Sequence, residues 1–202
     1  MKKQVVVIHG GHAFKAYGEF LNYLKNKKIN TEYFLYKKGW KNELAIRLGK
    51  NYEVLLPQMP NKQNAKYKEW KIWFERMVPF LRDGVVLIGH SMGGIFLAKY
   101  LSENKLSKRI NTLVLVSAPC KKTNRIKFVR EFRLKGNLQK VWEQCRNIHI
   151  FHSVDDPVVP VAEADEYKKA WPKAKLHLFT DRGHFNQETF PELAEEIKKA
   201  EK

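Results

Sequence analysis

The hexapeptide GHSMGG at residues 89–94 sets Ser91 between Gly89 and Gly93, two residues away on either side. A serine hydroxyl is a weak nucleophile at neutral pH. It attacks a carbonyl only where a base takes its proton, an acid holds that base, and hydrogen-bond donors receive the developing oxyanion. The G-x-S-x-G spacing alone arises by chance in about one chain in fifteen of this length, given ordinary Gly and Ser frequencies. The competing reading, a structural serine in a glycine turn, has to be weighed against whether those other parts exist.

Among seven histidines, His184 is the best-placed base. It stands in DRGHF, between the strand-like KLHLF and the last helical segment. His90 neighbours Ser91 and reads as structural. His149 and His177 fall inside strand-like runs and read as packing residues, and His152 stays open. For the acid, IHIF runs into HSVDDPVVP, which offers Asp155 and Asp156. The residues alone do not choose between these two. The order serine, aspartate, histidine, each after a strand, is one in which a nucleophile, an acid and a base can meet above a sheet. The first strand ends in HGG, so the N–H of Gly11 and that of Met92 are the expected oxyanion donors, with His12 as a substitute for Gly11. The aspartate pair is not accompanied by a histidine cluster of metal-ligand spacing. HGGHAF lacks both the G-x-G-x-x-G and the G-K-[ST] pattern of phosphate loops. No metal and no cofactor is therefore expected.

These residues need elements to carry them. The β-branched run at 4–8 (QVVVI) and the apolar-rich runs at 52–56 (YEVLL), 84–89 (GVVLIG), 111–116 (NTLVLV), 148–151 (IHIF) and 175–179 (KLHLF) read as six strands. Most are continuously apolar, as in strands buried on both faces. Helices are expected from Phe14, with Tyr17, Leu21 and Leu24 on one face, and over 66–78, where Trp70, Trp73, Phe74 and Met77 recur at helical spacing. Further helices are expected over 93–101, 161–170 and 191–200, with a short one at 43–48. The 66–78 stripe reads as core rather than as a ligand platform, and Pro79 closes or kinks its last turn. Alternating strands and helices in 202 residues predict one α/β domain, 1–202, with a mainly parallel sheet covered on both faces. Sites in such sheets form at the carboxyl ends of the strands.

The formal charge is +17, with 38 Lys+Arg against 21 Asp+Glu. It is uneven: the first 154 residues hold 30 basic and 10 acidic, and the remainder 8 and 11. Residues 25–50 and 121–146 concentrate the basic side chains. A surplus of this size attracts anions and says nothing about fold. The apolar run after MKK is too short for a secretory leader, and no run approaches the ~20 residues of a membrane span. A cytoplasmic protein is expected, with Cys120 and Cys145 as free thiols.

The pieces VVVIHGG, Met59-Pro60, VVLIGHSMGG, TLVLVSAP, SVDDPVVP and LHLFTDRGHFNQETFPEL resemble the α/β-hydrolase superfamily. More narrowly they are similar to the small serine hydrolases related to retinoblastoma-binding protein nine and the bacterial YdeN group. The resemblance implies Ser91 as nucleophile, His184 as base and Asp156, the aspartate before the proline, as acid. It also implies a core with a minimal cap, from which the basic stretches at 25–50 and after the fourth strand depart.

Together these features predict a serine hydrolase cleaving a carboxylic ester or related acyl bond through an acyl-enzyme on Ser91. Its expected partner is a small acyl substrate, anionic if the basic segment at 121–127 borders the site. The alternative is a catalytically silent hydrolase-fold protein that binds an acidic partner or nucleic acid. No nucleic-acid motif accompanies the nine basic residues of 121–146, so nucleic acid is not the expected partner.

Overall fold

The computed structural model describes residues 1–120 and 130–200, so the anion-selecting stretch expected at 121–127 lies outside the described residues. Six parallel strands form one sheet: β1 (Lys3–Ile8), β2 (Tyr52–Leu55), β3 (Val85–His90), β4 (Ile110–Val116), β5 (Cys145–Ser153) and β6 (Lys175–Phe179). Their spatial order is β2-β1-β3-β4-β5-β6. The direction of winding reverses between β1 and β3, so the crevice outside their carboxyl ends is where such a sheet receives a ligand. HGG follows β1 and GHSMGG spans the end of β3.

Among the described residues seven α-helices accompany the strands: α1 (Tyr17–Asn26), α2 (Trp40–Leu48), α3 (Tyr67–Met77), α4 (Met92–Glu103), α5 (Gln139–Gln144), α6 (Ala162–Ala170) and α7 (Pro191–Ala200), the last following β6. Each strand side chain alternates between the two faces, and helices cover both. Val6, Ile8 and Leu87 face the cluster holding Trp70 and Phe74 of α3, Phe96 of α4, Val141 of α5 and Tyr167 of α6. Val5, Val7, Val86 and Ile88 face Trp40 and Leu44 of α2 and Leu193 and Ile197 of α7. This two-sided burial explains why the strands read as continuous apolar runs rather than alternating ones.

Several local expectations change. Phe14 does not open a helix. It is buried in the preceding loop, its ring 5.5 and 5.1 Å from those of Phe20 and Tyr23. α1 buries none of its residues, and its apolar stripe of Tyr17, Leu21 and Leu24 faces outward. The helix expected at 43–48 begins earlier, at Trp40, because that indole is drawn into the core. α5 was not expected: Leu138, Val141 and Cys145 turn inward at helical spacing within a segment otherwise marked by charge. β5 begins at Cys145, since Cys145 pairs with Ile110 and Asn147 with Thr112 before the apolar run starts. Pro79 closes α3 in a single 3₁₀ turn, Val78–Phe80. Cys120 and Cys145 are buried and are not joined in a disulfide. No helix among the described residues is long and apolar enough to cross a membrane.

Candidate active site

Ser91 sits between β3 and α4 with φ 54° and ψ −122°, a left-handed conformation that costs a non-glycine residue on the order of 1–3 kcal/mol. Its neighbours explain how the strain is held. The Ser91 N–H donates to the Val116 carbonyl on β4 at 2.8 Å, and its carbonyl accepts the Gly94 N–H at 2.9 Å. A Cβ on Gly93 would stand 2.2 Å from the Ile8 carbonyl oxygen, and one on Gly89 would stand 2.4 Å from Gly94 Cα. Only glycine permits β1, β3 and the start of α4 to approach this closely. The turn thus lifts the Ser91 hydroxyl above the sheet and leaves Met92 as the first residue of α4, where helix amides have no intrahelical acceptor.

His184 reaches Ser91 from the loop after β6. Its Nε2 lies 2.9 Å from Ser91 Oγ, and its Nδ1 lies 2.9 and 3.1 Å from the two oxygens of Asp156. A carboxylate can only accept, so Nδ1 carries the proton and Nε2 is left to accept from the serine hydroxyl. Asp156 is buried, which by itself would raise its pKa. The bond from His184 and the N–H groups of Val158 (2.8 Å) and Val159 (2.9 Å) outweigh that and hold the carboxyl below its usual range. Of the two aspartates the residues alone left open, Asp156 is the one that lies within hydrogen-bond distance of His184. Asp155 is exposed and does not contact His184. Its carboxylate accepts the Ser153 hydroxyl and, at 3.0 Å, the Gly183 N–H, so it ties down the loop that carries His184.

Two further residues hold that loop, and only one of them was singled out from the sequence. Nε2–H of His90 donates to the His184 carbonyl at 2.8 Å, which bears out its structural role. Burial, then the field of Lys41, pushes the His90 pKa well down and keeps that ring neutral. Trp40 was not anticipated: its indole N–H donates to the Phe185 carbonyl at 2.9 Å, and its own N–H to the Gln187 carbonyl at 3.1 Å. Phe185 also has positive φ, 52°. His152, left open by the sequence, is fully buried and donates to the Val159 carbonyl at 2.8 Å, bracing the loop that carries Asp156.

The expected oxyanion residues converge on the same place. Gly11, Met92, Ser91 and His184 line one cavity of about 360 Å³, whose apolar wall includes Pro119, Val158 and Val159. The glycine turn is shaped by His9, whose Nδ1–H donates to the Gly10 carbonyl at 2.7 Å while Nε2 accepts the Met59 N–H at 2.9 Å. His12 cannot substitute for Gly11 as a main-chain donor, because its N–H is already given to the Lys62 carbonyl at 2.8 Å. Among the described residues, one group has metal-ligand types in reach of one another: His149, His177 and Glu196. Glu196 is engaged by Lys199 at 2.9 Å and Lys175 at 3.8 Å, and both imidazoles lie parallel to the Phe151 ring. His149 Nδ1 also lies 3.2 Å from His177 Nε2 and 3.7 Å from Glu196 Oε2, so these histidines, expected only to pack, share a polar contact as well.

Comparison with known proteins agrees with this architecture. Residues 36–198 match the family described as serine hydrolase. The chain is similar to the serine hydrolase RBBP9 of Rattus norvegicus, 31% identical over 153 residues, covering 73% of this chain and 77% of the relative. It is also similar to the hydrolase-like YdeN protein of Bacillus subtilis, 24% identical over 187 residues, covering 92% and 87% of the two chains. The solved ydeN gene product of B. subtilis superposes with a TM-score of 0.78 at 21% identity, covering 98% of each chain, which is a likeness of fold. An α/β-hydrolase sheet, a strained Ser91 at the end of β3 and a family match over most of the chain converge, and the chain belongs to the serine hydrolase family.

Proposed function

We propose that this protein hydrolyses small acyl esters through a covalent intermediate on Ser91. The observation that carries the proposal is the unbroken chain from Ser91 Oγ through His184 to Asp156, with 2.9 Å at each link, opening into a cavity. In the first step His184 Nε2 takes the hydroxyl proton as Ser91 Oγ bonds to the carbonyl carbon. Asp156 stabilises the resulting imidazolium through Nδ1–H. The carbonyl oxygen, now negative, receives the N–H groups of Gly11 and Met92, the latter at the positive end of α4. Collapse breaks the bond to the leaving alcohol, which takes the proton from Nε2–H. Water then repeats the sequence: His184 removes its proton, the carboxylic acid departs, and Ser91 regains its hydrogen.

The cavity's volume and its Pro119, Val158 and Val159 wall suit a short acyl group, since sites of roughly 300–1,000 Å³ hold small ligands. The same parts would serve a thioester or an amide, and the ester is proposed as the least demanding leaving group. A graded panel of 4-nitrophenyl esters, from acetate to octanoate, tests the proposal. Turnover favouring the shorter chains and abolished in Ser91→Ala is expected. Equal turnover by wild type and Ser91→Ala would remove the basis for the proposal.

A further inference from the structure

A second pocket, of about 290 Å³, lies beside the catalytic cavity and shares Gly10, Gly11 and His12 with it as a common wall. Its remaining lining is rich in hydrogen-bond donors: Lys27, Lys62, Tyr23, Tyr33 and Gln63. Among the described residues, no aspartate or glutamate lines it. Lys27 is held in place rather than waving in solvent. Its Nζ donates to the Tyr33 hydroxyl at 2.9 Å and lies 4.4 and 5.2 Å from the ring centres of Tyr33 and Tyr23. An ammonium between two π-faces keeps its charge and has already given up part of its side-chain freedom. The tyrosines also push the Lys27 pKa up, so the charge persists to high pH. Among the described residues, neither Lys27 nor Lys62 makes an ion pair with a carboxylate, although other lysines of this chain do.

We propose that this pocket is an anion subsite, and that the preferred substrates are small acyl esters carrying a carboxylate or phosphate group that Lys27 and Lys62 receive. The inference rests on the Ser91 reading above and adds to it the chemical class of the substrate. The three shared residues, Gly10 to His12, span at most about 8 Å of extended chain. An acidic group a few bonds from the scissile carbonyl would therefore reach the lysines while the carbonyl sits at Ser91. His12, on the shared wall, is sensitive to both sides: burial lowers its pKa first, and the charges of Lys27 and His184 lower it further. A neutral ester would leave the two lysines of this lining without an anionic partner, whereas an anionic one would form charge-assisted hydrogen bonds there.

The test compares kcat/KM for three esters: neutral 4-nitrophenyl butanoate, the 4-nitrophenyl half-ester of glutaric acid, and 4-(butanoyloxy)phenyl phosphate. The second places a carboxylate on the acyl side and the third a phosphate on the leaving-group side, so the two arms separate the sources of the anion. In Lys27→Gln/Lys62→Gln the ratio of anionic to neutral kcat/KM is expected to fall about tenfold for at least one arm. In the distant control Lys105→Gln/Lys173→Gln it should stay within about twofold, because exposed charges beyond a Debye length are screened. An unchanged ratio in the pocket variant, or an equal fall in the control, would overturn the subsite. Thermal stabilisation by millimolar glutarate or inorganic phosphate gives a readout free of turnover. It should be present in wild type and in Ser91→Ala and lost in the pocket variant. If no ester is turned over but this stabilisation follows the lysines, the hydrolytic reading fails and the subsite stands. If stabilisation is absent while esters are hydrolysed without anionic preference, the subsite fails alone.

Discussion

Asparagine at position 156 would keep the shape of the side chain and remove its charge. One oxygen would remain for the N–H groups of Val158 and Val159, which Asp156 Oδ1 now accepts at 2.8 and 2.9 Å. The new NH₂ would then face His184 Nδ1, which must accept from it. The imidazole proton moves to Nε2, and Ser91 loses its base. Stabilisation of the imidazolium is lost as well: unit charges about 4 Å apart at an effective dielectric near 20 attract by about 4 kcal/mol. That alone predicts a fall of about 10³ in kcat/KM, and the wrong tautomer takes it toward 10⁴. Asp155→Asn is the matched control, because its carboxylate accepts from the Ser153 hydroxyl and the Gly183 N–H rather than from His184, and an amide oxygen can accept both. It should cost less than about tenfold. Both variants would be assayed on the best 4-nitrophenyl ester, with circular dichroism to verify folding. Equal losses in the two, or more than about a tenth of wild-type activity in Asp156→Asn, would refute the assignment of Asp156 as the acid.

Trp40→Phe removes the indole N–H that holds the Phe185 carbonyl, so kcat should fall about tenfold or more with a smaller change in KM, measured by steady-state kinetics. Gly93→Ala would set a methyl 2.2 Å from the Ile8 carbonyl oxygen, and the forced shift should cost on the order of 1–3 kcal/mol in denaturant unfolding and displace the Gly10–Gly11 turn. The pH dependence of stability should carry a mark of His149, whose pKa burial pushes down to about 4. Below pH 6.5 the unfolded chain binds a proton that the folded one refuses, so its contribution is fully present above 6.5 and is lost between 6.5 and 4, by up to about 3 kcal/mol. His149→Leu should flatten the fall in Tm over that window, and an unchanged slope would refute the assignment.

The parts of the site that were legible in the sequence are those each strand delivers locally. Ser91, the aspartate pair and His184 all follow strand-like runs rich in apolar residues, and a parallel sheet brings such carboxyl ends to one edge. The division of labour within Asp155-Asp156 was not legible from the residues, because neighbours in a turn point different ways. Only the hydrogen bonds from His184 on one and Gly183 on the other separate them. Trp40 and His90 act on the His184 loop across 145 and 94 positions, contacts that no local spacing reveals. α5 had a usable signal in Leu138, Val141 and Cys145, obscured by the lysines and arginines around it. The exposure of α1 runs the other way: a regular apolar stripe is good evidence of a helix and no guarantee of a partner within the chain.

The central claim is that Ser91 forms a covalent bond during the reaction. A fluorophosphonate forms a stable adduct only with a serine whose proton a neighbouring base removes, because the phosphorus is attacked as the carbonyl would be. Intact-mass measurement followed by peptide mapping reads the result directly. The account predicts a single adduct on Ser91, absent from Ser91→Ala and slowed by orders of magnitude in His184→Ala. A folded wild-type protein that stays unlabelled, or an adduct that maps to another residue, would contradict it.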